Sequence, residues 1–240
     1  MKAVIMAGGK GTRLGPYTAS FPKPLMPLGN EMPVLELLLR QLKASGVTEV
    51  ILAVNHFHQL IRAFFGEGEN LGLKIRYSLE DQPLGTAGPL AAVLDDVDDT
   101  FFLTNGDLLT TLDFTAMLSE HRRIGGDATV ASFMREMKIE FGLLETDEHL
   151  RMTGYKEKPI TKHLVSMGLY ILRRDAVAPY LKPNTYLDMP DLMRAMVADS
   201  RHVHCHVPEC FWLDIGRPDD YATAQDVFAR DRGLFLRPEA

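Results

Sequence analysis

The sequence has few of the features that mark secreted and membrane proteins. Its 240 residues include only two cysteines, Cys205 and Cys210, which are too few to staple a small secreted module. No apolar run approaches the roughly 20 residues that a membrane-spanning helix needs. The apolar stretch at residues 3–7 is also too short for the core of a signal peptide. We therefore expect a cytoplasmic protein with no membrane partner.

The chain also lacks an excess of positive charge. Lysine and arginine total 26 against 32 aspartates and glutamates, which leaves a formal net charge of −6. Because a general nucleic-acid binder needs a basic face to meet the phosphates, we expect no nucleic-acid partner. The same balance argues against docking on anionic lipid. It leaves open a small anionic ligand that is held by a local cluster of cations.

The hydrophobic pattern of the first half alternates between strand and helix. Apolar residues make up 46% of the chain and charged residues 24%, as in ordinary soluble domains. Strands are predicted at residues 2–6, 49–54, 73–77 and 100–104, and helices at residues 34–44, 56–65 and 86–94. This alternation indicates right-handed crossovers and a mainly parallel sheet with helices on both faces.

The second half is richer in strands. Strands are predicted at residues 128–133, 141–145, 150–155 and 165–172, of which the first three suggest antiparallel hairpins, and closing helices at residues 189–198 and 219–230. The predicted fold class is α/β, with a doubly wound, mainly parallel, Rossmann-like sheet and a β-rich lobe in the second half. We expect one domain over residues 1–240, with halves at 1–110 and 111–240. Ligands of such sheets bind beyond the carboxyl ends of the strands, which directs attention to residues 7–16, 105–107 and those from Asn55 onward.

A glycine-rich segment, MAGGKGTRLG, follows the first predicted strand. Gly8, Gly9 and Gly11 let the backbone approach a phosphate closely, and exposed N–H groups in such a loop bind anions. Lys10 and Arg13 add full positive charges. The spacing is neither that of a P-loop nor that of the dinucleotide fingerprint. A tight strand-to-helix turn is the alternative interpretation.

A proline-rich segment, FPKPLMP, lies at residues 21–27. Its three prolines hold an extended chain with Lys23 fixed between two of them. The functional interpretation is a preset ammonium aimed at a phosphate, and the alternative is a rigid loop with a solvated lysine. The position of Lys23, a short distance after the glycine-rich segment, favours the functional interpretation.

Several motifs together resemble one enzyme family, and they occur in the family's order. They are MAGGKGTRL, FPKPLMPLG, LGTAGPL, NGD, EKP, MGLYIL and WLDIGRPDDY. This series is similar to the signature of the sugar-1-phosphate nucleotidylyltransferases, which join a sugar 1-phosphate to an NTP and release pyrophosphate. The resemblance spans nearly the whole chain. It implies that residues 1–110 bind the nucleotide and residues 111–240 the sugar.

The resemblance also implies the catalytic machinery. Arg13 and Lys23 are the implied catalytic cations, and Asp107 and Asp214 are the implied ligands of Mg²⁺. Carboxylate oxygens suit this hard cation, which also takes phosphate oxygens. Without the resemblance, Asp107 could be a turn residue in Asn-Gly-Asp, and Asp214 could cap a helix.

Two sets of binding residues follow from the same motifs. The implied nucleotide site comprises Ala7, Gly8, Gly9, Gly11, Thr12, Glu80, Gly85 and Thr86. The implied sugar-phosphate site comprises Asn105, Gly142, Glu157, Lys158 and Ser166. Ser166 stands where the family often has an asparagine that helps to bind the sugar, so the identity of the sugar stays open. For Glu157 and Lys158 the alternative is a solvated charge pair on a hairpin.

Glu80 occupies the position that resembles the base-recognition position of the family. A carboxylate only accepts hydrogen bonds, and guanine offers donors at N1 and N2, so GTP is favoured. The run SLEDQPLGTAGPL also resembles mannose-1-phosphate guanylyltransferases. UTP or dTTP as the donor, a different phosphate acceptor, and a regulatory relative that only binds a nucleotide-sugar are the alternatives.

The presence of all five key charged residues favours an enzyme over a regulatory relative. They are Arg13, Lys23, Asp107, Lys158 and Asp214. The expected partners are an NTP and a sugar 1-phosphate, and a homo-oligomer is compatible with the family.

Overall fold

The computed structural model describes residues 1–9, 11–29 and 31–236. The strands are β1 (Lys2–Met6), β2 (Pro27–Leu28), β3 (Met32–Pro33), β4 (Glu49–Val54), β5 (Lys74–Leu79), β6 (Thr100–Asn105), β7 (Leu108–Thr110), β8 (Ala128–Lys138), β9 (Leu143–Thr146), β10 (Met152–Lys156), β11 (Ile160–Arg173), β12 (Val203–His206) and β13 (Trp212–Asp214). The α-helices are α1 (Val34–Ala44), α2 (His58–Phe65), α3 (Phe114–Ile124), α4 (Arg174–Val177), α5 (Met189–Ala198) and α6 (Pro218–Phe235). Within these described ranges, no helix combines the length and the apolar character that crossing a bilayer requires.

The central sheet has seven strands in the order β12-β8-β11-β6-β1-β4-β5. Strand β1 pairs in parallel with both β4 and β6, and β5 and β12 also join their neighbours in parallel. Strand β11 is antiparallel to β6 and to β8. The predicted fold class is therefore confirmed, and the sheet takes strands from both predicted halves of the chain.

The inner strands of the sheet, β1, β4 and β6, are buried on both faces because their apolar side chains alternate between two cores. In β4, Val50, Leu52 and Val54 point toward the core that α1, α2 and α3 cover. Ile51 points to the opposite core, which α4 and α5 cover. This explains why β4 has a continuous apolar sequence, as expected of a strand with helices on both sides.

Helix α1 has the predicted bounds, and its sequence explains them. Its leucines recur at helical spacing, and Leu35, Leu38, Leu39 and Leu42 are fully buried. The helix ends at Ala44, and Gly46 follows with a φ of 87°, in the left-handed region. The next backbone N–H, that of Val47, donates to the Leu42 carbonyl oxygen at 3.1 Å, which is typical of glycine-terminated helices.

Two parts of the predicted secondary structure were wrong. Residues 86–94 form two short 3₁₀-helices, Gly88–Ala92 and Leu94–Asp96, instead of one α-helix. The N–H groups of Ala87 and Gly88 donate to the Leu187 carbonyl oxygen, so tertiary contacts replace helical hydrogen bonds there. Strand β8 pairs with β11, so only β9 and β10 form one of the predicted hairpins.

Strands β8 and β11 extend beyond the central sheet and form what we call the arm, residues 133–165. The outer part of β8 pairs with the start of β11, and the β9–β10 hairpin lies between them in sequence. Most side chains of the arm are exposed. The arm is one part of the predicted β-rich second half, whose remaining strands, β12 and the inner parts of β8 and β11, belong to the central sheet.

Candidate active site

A cleft of about 640 Å³ lies at the carboxyl ends of the central strands. Its volume is in the range of small-molecule sites. The strand order places β1 between β4 and β6. The chain adds β4 and β5 on one side of β1 and then β6 on the other side, and a crevice forms where the direction reverses. Three of its walls are the predicted segments after β1, β4 and β6. The lining residues are Met6, Ala7, Gly8, Gly9, Gly11, Thr12, Arg13, Lys23, Pro24, Asn55, Glu80, Pro83, Leu84, Gly85, Thr86, Asn105, Gly106, Asp107, Tyr186, Asp188, Asp214 and Gly216.

The glycine-rich loop begins at the carboxyl end of β1. The Ala7 N–H donates to the Ala53 carbonyl oxygen at 2.8 Å, which continues the ladder of β1 with β4. Gly11 has a φ of 63°, and a Cβ there would lie 3.1 Å from Thr18 Cγ2 and 3.3 Å from Lys23 Cβ. Only glycine therefore fits where this loop meets the proline-rich segment. Lys10 lies outside the described residues.

Lys23 is held in place by the proline-rich segment and is about nine-tenths buried. It begins a short 3₁₀-helix, Lys23–Leu25, with Pro24 at the second position. Its ammonium pairs with Asp107 Oδ2 and lies 3.8 Å from Asp214 Oδ1. The alternative interpretation of Lys23 as a solvated lysine is therefore wrong, because the ammonium is enclosed beside two carboxylates.

Asp107 and Asp214 are neighbours because β7 and β13 pair. The ladder aligns Asp214 with Leu108, and the Ile215 N–H donates to the Asp107 carbonyl oxygen at 3.2 Å. Trp212 anchors β13 through its indole N–H, which donates to the Met167 carbonyl oxygen at 3.0 Å. Two aspartates that are far apart in sequence thus share one wall of the cleft.

The electrostatics of this pair suit a bound divalent cation. Asp107 Oδ1 is buried and has no hydrogen-bond partner in the described part of the chain. Burial raises the pKa of Asp214, and the neighbouring Asp107 charge raises this pKa further, against the opposing effects of Lys23 and Arg13. Among the described residues, no three His, Cys, Asp or Glu side chains converge on one point. Two carboxylates completed by substrate phosphates are a typical Mg²⁺ environment, so the donor set fits this ion.

Arg13 lies on the same wall and is exposed to the cleft. A Cβ on Gly216 would be 3.6 Å from Arg13 Nη2 and 3.5 Å from Asp214 Oδ2. The guanidinium and the Asp214 carboxylate therefore lie on either side of Gly216, within van der Waals distance of its Cβ position. Arg13, Lys23, Asp107 and Asp214, which the sequence singles out, are brought together.

Glu80 and Gly8 mark another part of the cleft. A Cβ on Gly8 would lie 3.1 Å from Glu80 Oε1, so a larger residue would crowd the carboxylate. The Leu84 N–H donates to Glu80 Oε2 at 3.3 Å. Burial raises the pKa of Glu80, and the Leu84 N–H partly offsets that rise. The carboxylate is therefore fixed by the backbone while it lines the cleft.

The segment around residues 84–88 is fastened to residues 185–189. Asp188 Oδ1 accepts hydrogen bonds from the Thr86 N–H at 3.0 Å and from Thr86 Oγ1 at 3.1 Å. The Tyr186 hydroxyl donates to Asp188 Oδ2 at 2.6 Å. These three hydrogen bonds, of which the one from Tyr186 has the largest influence, lower the pKa of Asp188 against the opposing effect of burial. Sequence reasoning missed Tyr186 and Asp188, since no local motif marks them as neighbours of Thr86.

Replacing Gly85 with alanine tests this fastening. Gly85 has a φ of 81°, and a Cβ there would lie 2.5 Å from the Leu187 carbonyl oxygen and 2.9 Å from Asp188 Oδ1. We expect Gly85→Ala to lower the free energy of unfolding by about 1–3 kcal/mol, measured by urea denaturation. Gly233→Ala is the control, because a Cβ at Gly233 meets nothing within 4 Å. Equal stability of both variants would contradict the close contact.

The predicted sugar-phosphate residues lie in two places, with Asn105 and Ser166 at or near the cleft and the other three on the arm. Asn105 lines the cleft at the end of β6. Gly168 has a φ of 74°, and a Cβ there would lie 2.6 Å from Asn105 Nδ2, so Gly168 makes room for the asparagine amide. Ser166 Oγ hydrogen-bonds with the Tyr170 hydroxyl at 2.9 Å and accepts from the Gly168 N–H at 3.2 Å. Ser166 itself is not among the residues that line the cleft.

The other three residues of this set lie on the arm. Gly142 packs under Tyr155, where any Cβ would overlap the tyrosine hydroxyl. The Tyr155 hydroxyl donates to Glu157 Oε2 at 2.8 Å, so Gly142 and Glu157 belong to one cluster. Lys158 follows with a φ of 42° and is exposed. In the described structure, Gly142, Glu157 and Lys158 do not line the cleft.

Comparison with known proteins identifies the family. The profile of the family described as "Nucleotidyl transferase" matches residues 2–230. The chain belongs to the nucleotidyl transferase family. This confirms the membership that the motif series predicts.

Curated relatives in this family share about a third of their residues with the chain. The mannose-1-phosphate guanylyltransferase catalytic subunit beta of Dictyostelium discoideum is 35% identical over 234 residues, covering 95% of this chain and 64% of the relative. The mannose-1-phosphate guanylyltransferase of Mycobacterium tuberculosis is 34% identical over 224 residues, covering 91% and 62%. The chain thus spans less than two thirds of the length of these relatives.

Two solved structures share the fold of the chain. A putative glucose-1-phosphate thymidylyltransferase from Bacillus anthracis, in complex with a sucrose, has a TM-score of 0.77 at 24% identity, with 96% of both chains covered. HddC from Yersinia pseudotuberculosis, complexed with GMP-PN, has a TM-score of 0.72 at 23% identity, covering 95% of this chain and 99% of HddC. These likenesses support the α/β architecture over the 95–96% of the chain that they cover.

Proposed function

We propose that the protein transfers a guanylyl group from GTP to a sugar 1-phosphate, which yields a GDP-sugar and pyrophosphate. The observation that carries this proposal is the convergence of Arg13, Lys23, Asp107 and Asp214 beside the glycine-rich loop. The names of the Dictyostelium and Mycobacterium relatives support a guanylyl donor and a sugar-phosphate acceptor. Arg13 and Lys23 supply positive charge for the phosphates in a cleft that the carboxylates of Glu80, Asp107, Asp188 and Asp214 also line, so a divalent cation on two of these carboxylates would complete the charge balance.

The proposed transfer requires the protein to neutralise the negative charge of the phosphates and to align the attacking oxygen with the α-phosphorus. An oxygen of the sugar phosphate attacks the α-phosphorus of GTP, a P–O bond forms, and the bond to the departing pyrophosphate breaks. Since the attacking oxygen is already anionic, no protein base is needed. Arg13 and the N–H groups of the glycine-rich loop bind the pyrophosphate side, and Lys23 stabilises charge that develops at the α-phosphate.

Asp107 and Asp214 would hold Mg²⁺ in this proposal. When bound, the ion supplies positive charge for the reacting phosphates. The orphaned Asp107 Oδ1 supports this role, because a buried carboxylate oxygen without a partner is costly unless a ligand satisfies it. The ammonium of Lys23 partly neutralises the negative charge of the two aspartates.

The arm would supply the sugar side. Asn105 lies in the cleft wall, while Gly142, Glu157 and Lys158 lie on the arm. Glu157 would accept hydrogen bonds from sugar hydroxyls, and Lys158 would bind the sugar's phosphate. Ser166 is shorter than the asparagine common in the family, which leaves open a sugar other than the common hexoses.

The decisive experiment is a matrix of five NTPs against a panel of sugar 1-phosphates, scored by pyrophosphate release with and without Mg²⁺. We expect release with GTP, Mg²⁺ and at least one sugar 1-phosphate, and no release without the metal. Preference for UTP or dTTP would overturn the guanylyl assignment. An empty matrix would favour a protein that only binds nucleotide-sugars.

Glu80→Gln tests the choice of base. Guanine presents donors at N1 and N2 to the carboxylate, and the glutamine amide replaces one acceptor by a donor. We expect kcat/KM for GTP to fall by about 10- to 100-fold with UTP affected less. Asp81→Asn is the matched control, since Asp81 is an exposed neighbour that does not line the cleft.

The same residue predicts a pH dependence. Because burial raises the pKa of Glu80, the carboxylate takes up a proton at a higher pH than an ordinary glutamate. Acidification should therefore lower the ratio of GTP to UTP use in the native protein and leave that ratio flat in Glu80→Gln. If the variant keeps the native ratio and its pH profile, Glu80 does not recognise the base.

A further inference from the structure

Asn55 stands beside Glu80 at the end of the sheet. The parallel ladder between β4 and β5 aligns Val54 with Leu79, and the Glu80 N–H continues that ladder by donating to the Val54 carbonyl oxygen at 2.9 Å. Asn55 and Glu80 are therefore the next pair in register, one residue beyond the last pair of each strand. Both line the same cleft.

Gly8 lies between these two side chains. A Cβ on Gly8 would be 3.1 Å from Glu80 Oε1 and 3.3 Å from Asn55 Cβ. The backbone of Gly8 therefore packs closely against both residues, and a side chain at position 8 would crowd the Glu80 carboxylate and Asn55 where they line the cleft.

The backbone of Asn55 is held by hydrogen bonds, whereas its side-chain amide is available to bind a ligand. The Asn55 carbonyl oxygen accepts from the His58 N–H at 3.4 Å, and Phe57 turns the chain with a φ of 60°. In the described structure, no other residue hydrogen-bonds the Asn55 side-chain amide. A half-buried amide in a ligand cleft, without a protein partner, has donors to offer a ligand.

The two side chains together complement guanine better than Glu80 does alone. The Watson–Crick edge of guanine has donors at N1 and N2 and an acceptor at O6. A carboxylate satisfies the donors, but it repels O6, which needs a donor from another group. Uracil and thymine instead place one donor between two acceptors.

We propose that Asn55 is a specificity-determining residue that donates its side-chain N–H to O6 of the guanine whose N1 and N2 groups Glu80 accepts. This inference rests on the proposed use of GTP. It adds a positive requirement for a 6-oxo purine to the preference that Glu80 alone provides.

Base analogues distinguish this contact from others. ITP lacks the N2 amino group and keeps O6 and the N1 proton. In contrast, 2-aminopurine riboside triphosphate keeps the amino group but lacks both O6 and the N1 proton, so its use is compared between native and variant protein and not with that of GTP. In the Asn55→Ala variant, we expect kcat/KM for GTP and for ITP to fall by the same factor, about 10- to 100-fold. The value for the 2-aminopurine analogue should change by less than about threefold, since the analogue has no O6 to lose.

Equilibrium binding of the same nucleotides provides the second measurement. Asn55→Ala should weaken binding of GTP and ITP in parallel, while binding of the fluorescent 2-aminopurine analogue stays unchanged. Gln59→Ala is the matched control, because Gln59 is an exposed amide on the neighbouring helix α2 that does not line the cleft. It should match the native protein with every nucleotide.

The outcomes separate this inference from the proposed function. Use of GTP with no change in Asn55→Ala would overturn the Asn55 contact and leave the guanylyl transfer intact. An equal loss with all nucleotides, including UTP and the 2-aminopurine analogue, would place Asn55 on ribose or phosphate and also overturn it. A native protein that binds GTP without turnover would contradict the proposed function, and the binding series would still decide the role of Asn55.

Discussion

The Asp107→Asn and Asp214→Asn variants should each lose about three orders of magnitude in pyrophosphate release. Both substitutions keep the size of the side chain and remove the charge that would hold Mg²⁺. Stabilisation of transition-state charge by a metal ion is worth several kcal/mol, and each 1.36 kcal/mol is a factor of ten in rate. The measurement is the initial rate of pyrophosphate release with GTP and sugar 1-phosphate at saturating Mg²⁺.

The two variants should differ in stability. Asp107 is the close partner of the nine-tenths buried Lys23, so Asp107→Asn leaves a buried ammonium less compensated and should lower the free energy of unfolding. The folded state raises the pKa of Asp214, which means that the ionised carboxylate costs stability at neutral pH. That cost is absent below the pKa of an unfolded aspartate and is complete above the raised pKa. Asp214→Asn should therefore be at least as stable as the native protein at pH 7.

This opposite pair of effects keeps the metal assignment testable. Loss of activity in a variant with unchanged or higher stability cannot be ascribed to unfolding. Asp226→Asn is the matched control, since Asp226 is exposed on α6 and does not line the cleft. Near-native turnover in Asp214→Asn would exclude that residue as a metal ligand.

Lys23→Met should lower turnover by about 10²- to 10³-fold. Methionine keeps the length of the buried stem and removes the ammonium that lies beside Asp107 and Asp214. Loss of one preorganised group that stabilises transition-state charge typically costs this much. We expect most of the loss in kcat, because the charge that Lys23 opposes develops during the reaction.

Lys182→Met is the control for this prediction, because Lys182 is exposed and does not line the cleft. If Lys23→Met keeps kcat within about threefold of native while its stability falls, Lys23 serves only as the counter-ion of Asp107. A fall in kcat with little change in KM distinguishes the catalytic role from this structural one.

Much of the architecture follows from local patterns. The bounds of β1, α1, β4 and α5 are those predicted from apolar periodicity and stop signals, because these elements bury what their sequences offer. Residues 86–94 did not follow the pattern. Their backbone is committed to the carbonyl oxygen of Leu187, a partner about 100 residues away that no local pattern shows.

The candidate site also contains some residues whose position the sequence predicts and others that only the folded chain brings together. The glycine-rich loop, Glu80 and Asp107 lie shortly after predicted strands, so their place at one sheet edge was predictable. Lys23 was singled out instead by its proline-rich segment and by the motif series. Tyr186 and Asp188 reach Thr86 only through a loop that packs there in the folded chain. The arm residues Gly142, Glu157 and Lys158 were assigned to the sugar by resemblance, and their use in sugar binding stays a prediction.

The sequence by itself determined the fold class, the family and the identity of the charged residues, because periodicity, turn chemistry and ordered motifs are local properties of the chain. The tertiary structure decided which of these residues meet. The pairing of β7 with β13 set Asp214 beside Asp107, and the enclosure of Lys23 gave the two carboxylates a cation. The register of β4 with β5 placed Asn55 next to Glu80. Such contacts depend on long-range strand pairing, which no local spacing specifies.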